Sequence, residues 1–188
     1  MKFNKHWNLE GEHAFLGASK CSWLNYSSEH LITAWKNERA KQEGTELHEL
    51  AATLIKKKIK LPKSNKTLNA YVNDAIGYGM YPEVLLYYSD NCFGTADSIL
   101  YNEKKHFLRI HDLKTGKTKV HKEQLYIYAA LFCLEYKIRP SDVDMELRIY
   151  QSDDIQVYIP ECDEIVPIMD KIIAFDKILS EQKLKENE

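Results

Sequence analysis

No apolar run in this 188-residue chain approaches the roughly 20 residues that cross a bilayer, so a membrane-embedded protein is not expected. The opening MKFNKHWNLEGEH lacks the apolar h-region of a secretory leader. The four cysteines, Cys21, Cys92, Cys133 and Cys162, lie far apart and form no C-x-x-C pair. Reduced thiols in a cytoplasmic protein are therefore expected. Internal repeats and low-complexity linkers are also missing. Nor is there a net positive charge, because the formal balance is −2.

The distribution of that charge says more than its sum. Lys56, Lys57, Lys58, Lys60, Lys63 and Lys66 follow one another without an intervening acid. Between residues 104 and 122 stand six lysines and Arg109 against the single acid Asp112, while the acids gather in 141–188. Such a polarised chain can present a cationic face to phosphates and stay globally near neutral.

The length predicts one domain, 1–188, with a core of its own. Its parts are an N-terminal helical segment (1–43), a core (44–160) and a C-terminal helix (161–188). Residues 19–39 read as helix in two pieces. Trp23, Leu24, Leu31, Ile32 and Trp35 are the expected packing residues, and Ser27 or Ser28 caps the second piece. Gly44-Thr45 reads as the start of another helix, with Thr45 as N-cap and Leu47, Leu50, Ala51, Leu54 and Ile55 as its apolar stripe. His48 lies at the edge of that stripe. Further helices are expected at 67–79, 122–136 and 163–183, the last with Ile165, Ile168, Met169, Ile172, Ile173 and Leu179 inward. Strands are expected at 83–88, 93–101, 107–113, 144–151 and 155–159, the first three consecutive and antiparallel. The order predicts an α/β (mixed α+β) fold, a central mixed sheet of about five strands flanked by helices.

The hairpin within residues 94–114, GTADSILYNEKKHFLRIHDLK, organises the rest. In its second strand Leu108, Ile110, Asp112 and Lys114 share one face. An aliphatic pair followed by a carboxylate and an ammonium describes a strand that leaves the core and ends in a polar site. Asp97 on the neighbouring strand reaches that site if the pairing register allows. Two strand-borne carboxylates beside a lysine can hold Mg²⁺ next to a phosphate.

Four short pieces, GTELHELA, GTAD, HDLKTGK and QLYIY, occur in that order between Gly44 and Tyr128. They resemble the PD-(D/E)XK nuclease superfamily, and within it the RecB-type and phage recombination exonucleases. Specificity comes from the combination: a helix-borne His, a strand-borne Asp, D-x-K on the next strand, then Q-x-x-x-Y on the following helix. The resemblance implies a restriction-endonuclease-like core and a Mg²⁺- or Mn²⁺-dependent DNA exonuclease. A structure-specific or nicking endonuclease, or a catalytically silent DNA-binding subunit, are the alternatives.

The same resemblance implies the roles. Asp97 and Asp112 would be metal ligands, His48 a further ligand, and the main-chain carbonyl of Leu113 would complete the set. Glu83 stands where some relatives carry an extra acidic ligand, although an exposed residue at a strand start reads the same way. Lys114 would orient or deprotonate the attacking water, and Gln124 and Tyr128 would steady the site or touch a DNA phosphate. Lys57, Lys58, Lys117, Lys119 and Lys122 are the candidate DNA contacts. No iron–sulfur cluster is expected, because Cys162 is the only cysteine near the C-terminus. DNA is the implied partner, alongside a single-strand annealing protein, and the oligomeric state is left open.

Overall fold

Ser27 starts the first long helix, its side-chain oxygen accepting from the His30 amide at 3.2 Å, as an N-cap does. The computed structural model describes residues 14–16, 21–116 and 121–186. The chain divides into two compact units, 1–45 and 46–188. A 3₁₀ turn at Cys21–Asn25 precedes helix α1, Ser28–Lys56, whose residues 46–56 belong to the second unit. Helix α1 runs unbroken through Gly44 and Thr45, where sequence signals predicted a new start. The Thr45 hydroxyl bonds back to the Lys41 carbonyl at 3.2 Å instead of capping, a use open to threonine inside helices. Leu24, Ile32 and Trp35, expected to be packed, are exposed at 68, 54 and 45%.

In the second unit the order is α2 (Thr67–Tyr78), β1 (Tyr81–Ser89), β2 (Cys92–Asn102), β3 (Phe107–Lys114), α3 (Glu123–Tyr136), β4 (Asp144–Gln151), β5 (Asp154–Tyr158) and α4 (Cys162–Glu186). The strands form one mixed sheet in the order β1-β2-β3-β4-β5. The pairs β1–β2, β2–β3 and β4–β5 are antiparallel, and β3–β4 is parallel. A parallel pair needs a crossover, and α3 supplies it. Five strands flanked by helices is the fold class the sequence implied. No helix among the described residues is long and apolar enough to cross a membrane.

Two apolar clusters hold the sheet. On one side Leu108, Ile110, Leu147 and Ile149 pack with Leu125, Ala129 and Phe132 of α3 and Ile165 of α4. On the other, Leu113 and Tyr150 pack with Ala51 and Ile55 of α1 and with Tyr71, Val72 and Ala75 of α2. Leu50, placed in the inward stripe from sequence, is 46% exposed, and Ile173 and Leu179 of α4 are likewise out in solvent. Helix α2 ends at Gly79 in the left-handed conformation (φ 72°), where glycine has no Cβ penalty. Its start is capped from afar: Asp153, in the β4–β5 turn, accepts from the Thr67 amide at 2.8 Å. Ser152 and Asp153 both have positive φ, 53° and 62°, as a two-residue type I′ hairpin turn requires.

On the α2 side of β3 lies His111, fully buried, with no hydrogen bond at either ring nitrogen among the described residues. Its ring sits 5.8 Å from Tyr78 and 5.1 Å from Tyr150. Burial, then the Arg148 and Arg109 charges, hold its pKa down to about 2. The folded chain thus refuses a proton that the unfolded chain accepts below about 6.5. This contribution to stability is complete above that pH and is lost as the pH falls. His111→Leu is expected to remove an acid-side loss of about 1.4 kcal/mol per pH unit, visible as a melting temperature that holds up better as the solution is acidified.

Candidate metal centre

The site forms where β2 and β3 part. Their ladder runs from Asn102↔Phe107 to Ser98↔His111 and stops there. Beyond it the Leu113 amide donates to Asp97 Oδ2 at 2.7 Å. A side-chain carboxylate thereby replaces the missing strand partner and is fixed between the two strands. Asp97 Oδ1 lies 3.5 Å from His48 Nδ1, brought in by α1.

Glu83 arrives through an unusual backbone. The β1–β2 register passes from Pro82↔Ser98 to Val84↔Ala96, leaving Glu83 opposite Asp97. Its φ of 53° is left-handed, which costs a side-chain-bearing residue roughly 1–3 kcal/mol and recurs at functional sites. Ligand atoms of His48, Glu83 and Asp97 all lie within 4.8 Å of one another.

Asp112 and Lys114 sit on the α3-facing side of β3, as the alternation predicted. Asp112 is 2% exposed. The Lys114 ammonium donates to its Oδ1 at 3.0 Å and lies 2.9 Å from Oδ2. Oδ2 itself accepts no hydrogen bond. Lys114 also donates to Gln124 Oε1 at 2.8 Å, and Gln124 Nε2 donates to the Tyr128 hydroxyl at 3.1 Å. Gly94 makes room for Tyr128, since a Cβ there would stand 3.0 Å from its ring. The chain from Asp112 to Tyr128 is therefore one connected polar row.

The charges explain one another. Burial raises Asp112 to about 6, Asp97 pushes the same way, and Lys114 opposes. Glu83 is raised by burial and then by Asp97. His48 is raised mainly by its contact with Asp97. The Asp97 charge disfavours ionisation of both Glu83 and Asp112, and these carboxylates with the His48 imidazole form a donor set suited to a hard divalent cation. Oxygen ligands suit Mg²⁺, and the imidazole makes Mn²⁺ equally fitting.

Of the residues proposed from sequence, the structure brings His48, Glu83 and Asp97 into one cluster and joins Asp112, Lys114, Gln124 and Tyr128 in one hydrogen-bonded row, with Asp97 and His48 near enough to act on the Asp112 charge. Leu113 joins them through its amide, which holds Asp97. Lys122 is engaged elsewhere, with Glu164 at 3.0 Å and the Tyr126 hydroxyl at 3.1 Å. Lys57 and Lys58 are exposed just beyond the end of α1. Lys117 and Lys119 lie outside the described residues.

Two neighbours went unnoticed in the sequence. Tyr71 of α2 is raised by burial and then by Asp97 and, less, Glu83 and Asp112, so its phenol walls the acidic cluster. Lys56 opposes the upward shift of Glu83. Tyr71 is one of three buried residues of α2, with Val72 and Ala75, and in sequence it reads as an ordinary core aromatic. No family model, curated protein or solved structure matches the chain.

Proposed function

We propose that this protein is a divalent-metal-dependent DNA exonuclease. The observation that carries the proposal is the convergence of His48, Glu83 and Asp97 within 4.8 Å of one another, from α1, β1 and β2, with the Asp112–Lys114 pair alongside. His48, Glu83, Asp97 and Asp112 would hold Mg²⁺ or Mn²⁺. When bound, the ion supplies Lewis-acid neutralisation at a phosphoryl oxygen.

The protein's own residues supply the rest. The Lys114 ammonium is held between Asp112 and Gln124 at 2.8–3.0 Å before substrate arrives. A fixed cation at that place offsets the negative charge that grows on the phosphate as the bond breaks. Burial, above all, raises the Tyr128 pKa, so its hydroxyl stays protonated at neutral pH and serves Gln124 or a phosphate oxygen as a neutral partner. Leu113 keeps Asp97 from rotating. The resemblance of these residues to RecB-type and phage recombination nucleases supplies the DNA and exonuclease parts of the proposal.

The expected result is chelator-sensitive release of nucleotides from end-labelled linear duplex, with Mg²⁺ or Mn²⁺ added, while a covalently closed circle survives. Cutting of the circle would make the enzyme an endonuclease. A folded sample that cuts neither substrate in either metal would overturn the proposal.

A further inference from the structure

Strands β1 and β2 continue past the sheet. They pair as far as Ser89↔Cys92, whereas β2 leaves β3 at Ser98. The resulting two-stranded ribbon has two unlike faces. Leu86 and Ala96 point into the α3 side of the core, and Gly94 lies against Tyr128. Leu85, Tyr87, Phe93 and Thr95 point the other way, paired Leu85↔Thr95 and Tyr87↔Phe93. That face is bare: Phe93 is 58% exposed, Leu85 54% and Tyr87 43%.

We infer that this bare face is a stacking platform for unpaired nucleobases, receiving the strand whose phosphate lies at the acidic cluster. The inference rests on the proposed nuclease activity for its ligand class. Asp97 is the next residue in the alternation that carries Phe93 and Thr95. Four residues of strand put Phe93 roughly 13 Å from Asp97, about the reach of two nucleotide units of extended chain. The Tyr87 and Phe93 rings are near-parallel, 24° apart with centroids at 6.4 Å. The Tyr87 hydroxyl donates to Asp90 at 2.8 Å, which holds its ring in place. Flat, exposed and pre-ordered rings are what sequence-tolerant base stacking uses.

The edge of the ribbon is not open to strand addition by another copy. The Tyr87 amide is taken by Glu135 at 2.8 Å. Pro82 has no amide hydrogen to offer, and Glu83 breaks the extended backbone. The ligand therefore meets the face of the ribbon. A strand end must be unpaired over its last nucleotides to lay its bases there, so the enzyme acts on frayed or single-stranded ends in preference to blunt duplex.

The test uses the full chain carrying Phe93→Trp, without divalent metal, titrated with oligo(dT) of about 12 nucleotides and with an abasic oligomer of equal length. Expected is saturable quenching of the added tryptophan by oligo(dT) only, with no such change in the parent chain. Phe93→Ala and Tyr87→Ala should each raise KM for oligo(dT) about ten-fold with kcat within about three-fold. Hydrolysis of bis(p-nitrophenyl) phosphate should be unchanged in both. No quenching, or equal quenching by the abasic oligomer, would overturn the inference. So would a concentration-dependent dimer that Phe93→Ala dissolves, since the face would then serve a second copy. Selective quenching in a chain that hydrolyses no phosphodiester would sink the nuclease proposal and leave the platform standing.

Discussion

Asp112→Asn is expected to lower metal-dependent cleavage about 10³-fold or more and, in the same protein, to raise the melting temperature of the metal-free chain. The first effect follows from deleting a charged group of the proposed metal centre. The second follows from the sign of its pKa shift. Asp112 is raised from 3.8 to about 6 in the folded chain, so the folded state resists an ionisation that the unfolded state completes. Its contribution is most favourable below about pH 4 and is lost as the pH rises through about 6. At pH 7–8 the ionised side chain costs about 1–3 kcal/mol, and asparagine removes that cost. A gain of several degrees at pH 8 that disappears near pH 4 would confirm the account, measured by thermal unfolding with chelator present. An Asp112→Asn protein that is no more stable than its parent at pH 8 would refute it. His111, the preceding residue, tilts stability the opposite way over the same range, so the parent's own pH profile should be flatter than that of either single variant.

Lys114→Met is expected to reduce cleavage about 10²–10⁴-fold and to destabilise the metal-free chain at pH 8 by about 3 kcal/mol. Among the described residues the ammonium is the only cation ion-paired with Asp112, so its loss leaves a buried carboxylate uncompensated. Protonation of Asp112 cures this, and the destabilisation should largely vanish near pH 4. The double variant Asp112→Asn/Lys114→Met is therefore expected to be more stable at pH 8 than Lys114→Met alone, although it removes one group more. Additive losses in that cycle would mean that the two side chains do not act as a pair. Cleavage by Lys114→Met at the parental rate would remove the lysine from the mechanism.

The parts of the site borne by regular alternation were legible. Leu108, Ile110, Asp112 and Lys114 share a face because a strand has a period of two, and Gln124 and Tyr128 share one because a helix turn has about four. What set Asp97 and Glu83 together was not legible. It depends on a left-handed residue at Glu83 and on an early end to the β2–β3 ladder, and neither leaves a composition signal. Glutamate has no special tolerance for positive φ, so an exposed strand start was an equally good account of it. Gly44-Thr45 misled for the opposite reason. Locally it has the chemistry of a helix start, but both neighbouring segments are helical and the bonds continue through it. Apolar periodicity also overstated burial at Leu50, Ile173 and Leu179, where a helix is longer or more exposed than the surface it covers.

The distant cap on α2 bears on the order in which the molecule is made. Thr67 is synthesised long before Asp153, so the amide that Asp153 receives at 2.8 Å stays solvated until the β4–β5 hairpin has emerged. The parallel partner of β3 is β4 as well. A nascent chain halted before Asp144 would already contain every candidate ligand, yet lack the strand and the clasp that hold them in register. Assembly of the acidic pocket is thereby deferred until the segment from Asp144 onward has been made.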